Sequence, residues 1–268
     1  MTIDTLPLSH VGGRGLLRLS GADTVEFLQN LVTNDMRLLS PERPLYACML
    51  TPQGRFLHDF FLSMDGDGVL LECETARRHD LVKRLTMFKL RSKVTIDDLD
   101  GKRHVYVSGA LRDGAFADPR LPALGFRFYS DIVDSSAADE NVWRDFRIAH
   151  GVPEGTPDLE VEGDTVAHAN LDHLHAVSWD KGCYLGQEIT AMTQNRGIAK
   201  KRMVIVNGTG LQAASALTLD GQVVGDIRSV NVQGTQGLAV IKLAAVGKTL
   251  DTGAVAQLPD WLILENAS

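Results

Sequence analysis

The residues Lys181-Gly182-Cys183-Tyr184-Leu185-Gly186-Gln187-Glu188 gather a thiol, a cation, a carboxylate, a carboxamide and two glycines into one short stretch. A lysine two residues before a cysteine, among open backbone amides, would favour the thiolate and leave the sulfur accessible between glycines. The opposing reading is a tight turn whose glycines supply φ > 0 and whose cysteine is a small buried hydrophobe. Residue types alone leave both standing. The other two cysteines, Cys48 and Cys73, lie in apolar runs that read as strands. With no CxxC pair among the three, neither a disulfide framework nor a cysteine-only metal site is signalled.

Other groups carry less. Asp59 stands in an apolar strand, where an unpaired carboxylate is costly, so it should face a cavity or pair with a cation such as Arg55 or Arg91. His168, His173 and His175 surround Asp172 with a spacing that matches no common zinc pattern, so a surface loop is expected and no metal. Gly12-Gly13-Arg14-Gly15 precedes a strand instead of following one, and the chain has no phosphate-binding P-loop and no G-x-S-x-G. Nucleotide binding and serine hydrolysis therefore have no support. A net charge of −7 argues against a broad nucleic-acid footprint. No apolar run is long enough to span a membrane, and Met1-Thr2-Ile3-Asp4 begins no cationic or apolar leader, so a cytoplasmic monomer without membrane partners is expected.

The elements that must hold these groups alternate irregularly. Strands are expected at 15–20, 46–50, 56–64, 69–73, 94–96, 104–108 and 126–129, with Asp65-Gly66-Asp67-Gly68 as a hairpin turn. Helices are expected from Gly21-Ala22-Asp23 onward, with Val25, Leu28, Leu31 and Val32 on the inner face, and then over 76–87 and 138–150. From Lys201 onward, short apolar runs are separated by Gly, Asn, Asp or Gln without helical periodicity, which reads as an appended β-barrel or sandwich. The whole is an α+β chain of 268 residues, not a doubly wound sheet.

The octapeptide, followed by Arg196-Gly197, resembles the signature of the YgfZ-type folate-binding proteins, a branch of the fold shared with the glycine cleavage T-protein, an aminomethyltransferase. The likeness extends to Gly21-Ala22-Asp23, Leu31-Val32-Thr33-Asn34-Asp35, Thr51-Pro52-Gln53-Gly54-Arg55, Phe88-Lys89-Leu90-Arg91-Ser92-Lys93 and Gly151-Val152-Pro153-Glu154-Gly155. The resemblance implies a three-lobed ring of two interleaved α+β subdomains plus a C-terminal β-barrel, with a folate module over 1–200, an insertion at about 45–125, and the barrel over 201–268. It further implies maturation or repair of iron–sulfur clusters in client enzymes or carriers, with tetrahydrofolate or a one-carbon derivative as cofactor. On that reading Cys183 is the functional thiol and Lys181 helps to ionise it, while Asp59, Tyr184, Gln187, Glu188, Arg55, Arg91 and Arg196 contact the folate.

The sequence departs from its relatives at four places. Met192 stands where the family has an arginine. His58-Asp59 replaces the T-protein's aspartate pair, Ala149 its late-helix glutamate, and a position near Glu74 an asparagine. These changes count against the first alternative, an aminomethyltransferase or demethylase. The second alternative is a non-catalytic docking module for iron–sulfur carriers.

Overall fold

A computed structural model describes residues 2–195 and 199–264. Along the chain run β1 (Ser9–His10), β2 (Arg14–Ser20), α1 (Thr24–Gln29), β3 (Leu45–Leu50), β4 (Phe56–Asp65), β5 (Gly68–Glu74), α2 (Arg78–Lys89), β6 (Thr95–Asp98), β7 (His104–Ser108), β8 (Phe116–Ala117), β9 (Phe126–Ser130), α3 (Glu140–Ala149) and α4 (Gln187–Asn195). There follow β10 (Lys201–Asn207), β11 (Ala216–Leu219), β12 (Gln222–Val230), β13 (Gln236–Lys242) and β14 (Val255–Gln257).

The strands form three antiparallel sheets with orders β3-β4-β5-β2-β6, β1-β7-β9-β8 and β11-β12-β13-β10-β14. The first sheet interrupts the second, because β2 through β6 lie in the chain between β1 and β7. The interleaving therefore begins at Arg14, not near residue 45: β2 pairs with β5 and β6 and cannot be separated from them.

The first sheet is buried on both faces, which is why β3 and β4 read as continuous apolar runs. Leu17, Leu19, Ala47, Met49, Phe60 and Leu71 pack with Phe27 and Leu28 of α1 and Leu81 and Leu85 of α2. Leu16, Tyr46, Cys48, Phe61 and Leu70 turn the other way, toward Val105, Val107, Trp143 and Phe146. Helix α1 is only six residues long, and Phe27 and Leu28 fill its inner side, so Val25 is exposed instead of facing the core. Helix α3 keeps its expected limits. Asp139 caps its start by accepting the Asn141 N–H at 2.8 Å, and Gly151, at φ +70°, follows its last turn.

Candidate functional site

Three anchors build the Cys183 turn. The Lys181 ammonium is buried and donates to the carbonyls of Gln29 (2.7 Å), Val32 (2.6 Å) and Asn34 (2.8 Å), at and just beyond the end of α1. A helix leaves its last carbonyls without partners, and a cation there is favoured by both hydrogen bonding and the helix dipole. The Tyr184 ring, also buried, lies 5.0 Å from the same nitrogen. Gly186, at φ +85°, packs so closely on the β3–β4 turn that a Cβ would sit 2.5 Å from the Thr51 carbonyl oxygen. Its own carbonyl accepts the Thr190 hydroxyl at 3.1 Å in the first turn of α4. Between these anchors Gly182 and Cys183 stand out into solvent, and Cys183 is the exposed thiol of the three.

Lys181 therefore positions the turn. Its three N–H groups are all donated to carbonyls, so none remains for the Cys183 sulfur. Burial pushes its pKa down to about 8, but the three carbonyls favour the ammonium, which is the species that fits this socket. Burial, reinforced by Asp59, raises the Cys48 thiol well above its usual range. Burial likewise pushes Cys73 up to about 12.

The residues expected around a folate are scattered. Tyr184 lies under the turn with its phenol pushed up by burial to about 12, and is not presented for stacking. Gln187 and Glu188 open α4, the first half-buried and the second exposed. Arg55 donates to the Gly163 carbonyl at 2.7 Å, and Arg91 is exposed after α2. Arg196 lies outside the described residues.

Asp59 pairs with neither Arg55 nor Arg91. Its partner is Arg14, at 3.1 Å, and the Tyr46 hydroxyl donates to the same carboxylate at 3.0 Å. Arg14 also holds Glu72 (3.1 Å), and Arg127 joins Glu72 (2.6 Å), Asp118 (3.1 Å) and Glu154 (3.0 Å). Arg120 closes the network on Asp118 (2.8 Å) and Glu154 (3.1 Å). Arg127 stacks 3.9 Å from the Phe61 ring centroid, and the Trp143 indole donates to Glu154 at 3.0 Å. Burial opposes ionisation of Glu154 and Asp118, but the flanking Arg127 and Arg120 outweigh it, lowering Asp118 and holding Glu154 well below the usual carboxylate range. Three arginines and four carboxylates thus fill the space between the first two sheets. The hint in the sequence was a charge inside an apolar strand, as in Leu71-Glu72-Cys73 and Phe126-Arg127-Phe128.

A cavity of about 520 Å³ opens at the edge of this network, lined by Asn34, Arg43, Tyr46, Asp118, His175 and Trp179 among others. It holds neither Asp59 nor Cys183, nor any of the expected folate contacts. Its volume suits a drug-sized ligand. Trp179 is 40% exposed, and the Arg43 guanidinium has no ion-pair partner among the described residues. Asn34 fixes the inner wall by donating to the Tyr46 and His175 carbonyls, both at 2.8 Å. His168 and His173 lie by Asp164 and Asp172, and among the described residues no cluster of metal-ligating side chains forms.

No protein-family model matches the chain. The chain is 36% identical over 231 residues to the iron–sulfur cluster assembly factor IBA57 homolog, mitochondrial, of Mycosarcoma maydis, covering 76% of this chain and 57% of that protein. It is 31% identical over 301 residues to human iron–sulfur cluster assembly factor IBA57, mitochondrial, covering 94% and 84%. Among solved structures, the glycine cleavage system aminomethyltransferase T of Bartonella henselae matches with a TM-score of 0.75 at 14% identity, covering 97% of this chain and 87% of that one. The fold is therefore the T-protein fold. The cytoplasmic expectation is overturned, because these relatives are named mitochondrial proteins and the comparison points to that compartment.

Proposed function

Because the chain belongs to the IBA57 family of iron–sulfur cluster assembly factors, we propose that it serves in maturing iron–sulfur clusters of client proteins, with Cys183 as the thiol that acts on them. The observation that carries this reading is the turn itself: a buried lysine, a buried tyrosine and a tightly packed glycine hold one cysteine out in solvent while the other two are buried. A cysteine kept for packing would be buried like Cys48 and Cys73. A fixed, accessible sulfur suits a soft metal ion or a disulfide partner. In cells depleted of the chain, iron–sulfur enzymes should lose activity while iron-free enzymes keep theirs. Equal activity of both classes would remove the role.

A reduced folate, tetrahydrofolate or a one-carbon derivative, is proposed for the cavity beside Tyr46, between the first two sheets. Trp179 offers a flat face to a pterin, Arg43 a cation to the glutamyl carboxylates, and His175 and Asp180 polar contacts. When bound, folate supplies a carrier of one-carbon groups. This assignment replaces the contacts expected at Asp59, Tyr184 and Arg55, whose side chains are engaged elsewhere. Asp59 is held by Arg14 and Tyr46, so an aminomethyl transfer that depends on a free carboxylate there has no support. On this reading each of the three sheets forms one lobe of the proposed ring, with the β10–β14 sheet as the third. Calorimetry with tetrahydrofolate should give saturable binding that weakens about tenfold in Trp179→Ala, the scale of one lost aromatic contact. Binding that is absent, or indifferent to Trp179, contradicts the assignment.

A further inference from the structure

Helix α2 ends in an exposed apolar hook. Met87 is 62% exposed, Phe88 36% and Leu90 86%. Leu90 follows the last residue of α2 with φ +46° and ψ −108°, a conformation that favours glycine. A leucine there is strained and gains nothing from burial, so folding does not account for it.

The chain segment that carries the hook is cationic. Residues 81–96 contain Lys83, Arg84, Lys89, Arg91 and Lys93 and no carboxylate, in a chain whose net charge is −7. Arg84 is paired with Asp80, but among the described residues Lys83, Lys89, Arg91 and Lys93 have no ion-pair partner. Next to them lies a groove of about 370 Å³ lined by Asp23, Glu26, Phe27, Asn30, Leu31, Phe88 and Ser92, and a hollow that shares Asp23 and Ser92 with it is lined by Leu90 and Arg91. Glu26 is the exposed acid on its rim, and the Asp23 carboxylate accepts the Lys93 backbone N–H at 2.7 Å. One wall of the groove is α1 and the turn after it. The Asn30 carbonyl, in that wall, accepts the Leu185 N–H at 3.4 Å, and Lys181 grips the neighbouring Gln29 carbonyl. The end of α1 thus supports both the groove and the Lys181–Leu185 turn.

We propose that this groove docks an acidic segment of a partner protein. One apolar side chain of that segment lies against Phe88 and Leu90, and its carboxylates meet Lys89, Arg91 and Lys93. Charge complementarity carries the choice: unpaired cations on an acidic molecule select an anionic partner and steer its approach. The concave groove beside the hook suits a peptide segment better than a flat lipid surface. That the segment belongs to an iron–sulfur protein brought beside Cys183 rests on the functional reading above, whereas the groove's preference for an acidic, apolar segment does not.

The test is a fluorescence anisotropy titration of the full chain with a short labelled peptide carrying one Phe-Leu pair flanked by glutamates. The peptide should bind, and binding should weaken with added salt. It should fall about tenfold or more in Leu90→Gly and in the Lys89→Glu, Arg91→Glu double variant, while a peptide lacking the Phe-Leu pair binds no better than the variants do. Leu90→Gly should keep or raise the melting temperature, since glycine accepts the positive φ, so lost binding there cannot be ascribed to unfolding. Cys183→Ala should bind the peptide as the unaltered chain does, which separates failure of the groove from failure of the thiol reading. Binding that is unchanged in both variants overturns the proposal. So does a peptide that does not bind, whether or not phosphatidylserine vesicles capture the chain.

Discussion

Cys183 and Lys181 are two residues apart, yet one side chain is in solvent and the other is buried on three carbonyls. If Lys181 holds the turn, its loss should register first in stability. Lys181→Met leaves three carbonyls without their donor and should cost about 2 kcal/mol, a fall in Tm of roughly 4–8 °C for a chain of this size. A Tm that stays put while alkylation of Cys183 slows would instead make the lysine an activator of the thiol. The sequence singled out the thiol that is exposed, because glycines and a cation around a cysteine are local features. It did not show what the lysine does, since its acceptors lie about 150 residues earlier in the chain. Pairing of Asp59 with Arg14 was hidden for the same reason: Arg14 sits on a strand 45 residues away.

At the scale of elements, β3, β4 and β5 were legible as apolar runs because both faces of their sheet are covered. Strand β12 runs from Gln222 to Val230 although only its start reads as an apolar run, because Asp226 and Arg228 alternate with buried Ile227 and Ser229 and dilute the apolar signal. Helix α4 was not foreseen, since Gln187–Asn195 offers little apolar periodicity. Strand β4 carries a pH-dependent feature of its own. His58 is buried with its ring Nε2 2.9 Å from Asp80, and burial, aided by Arg77, pushes its pKa down to about 4. Unfolded, the imidazole protonates near its ordinary value of about 6.5. Between those two values the unfolded chain binds the extra proton, so stability falls as pH drops from about 6.5 to about 4. The shift corresponds to about 3 kcal/mol at most. Urea denaturation across that range should show the decline, and His58→Gln should flatten it. An equally steep decline in the variant would assign the effect to other groups.

For the molecule as a whole, the ion network decides how the first two sheets meet. Arg127 from the second sheet is held by Glu72 of the first and by Asp118 and Glu154 from loops. Removing it strands buried carboxylates, and Arg127→Met should cost about 3–5 kcal/mol in chemical denaturation; a loss below about 1 kcal/mol would show that the network is not needed to join the sheets. None of this long-range pairing could be read from the sequence, although the antiparallel α+β class and the T-protein fold could. The central claim is that this scaffold exists to present Cys183 to iron–sulfur clients, and the most direct measurement is made in cells lacking the native gene. The activity of an iron–sulfur enzyme is compared after supplying the unaltered chain or Cys183→Ala, with the melting temperature of each purified protein alongside. The account predicts that the unaltered chain restores activity while the alanine variant, with a Tm within about 2 °C because an exposed side chain contributes little to stability, does not. Full restoration by Cys183→Ala would contradict it.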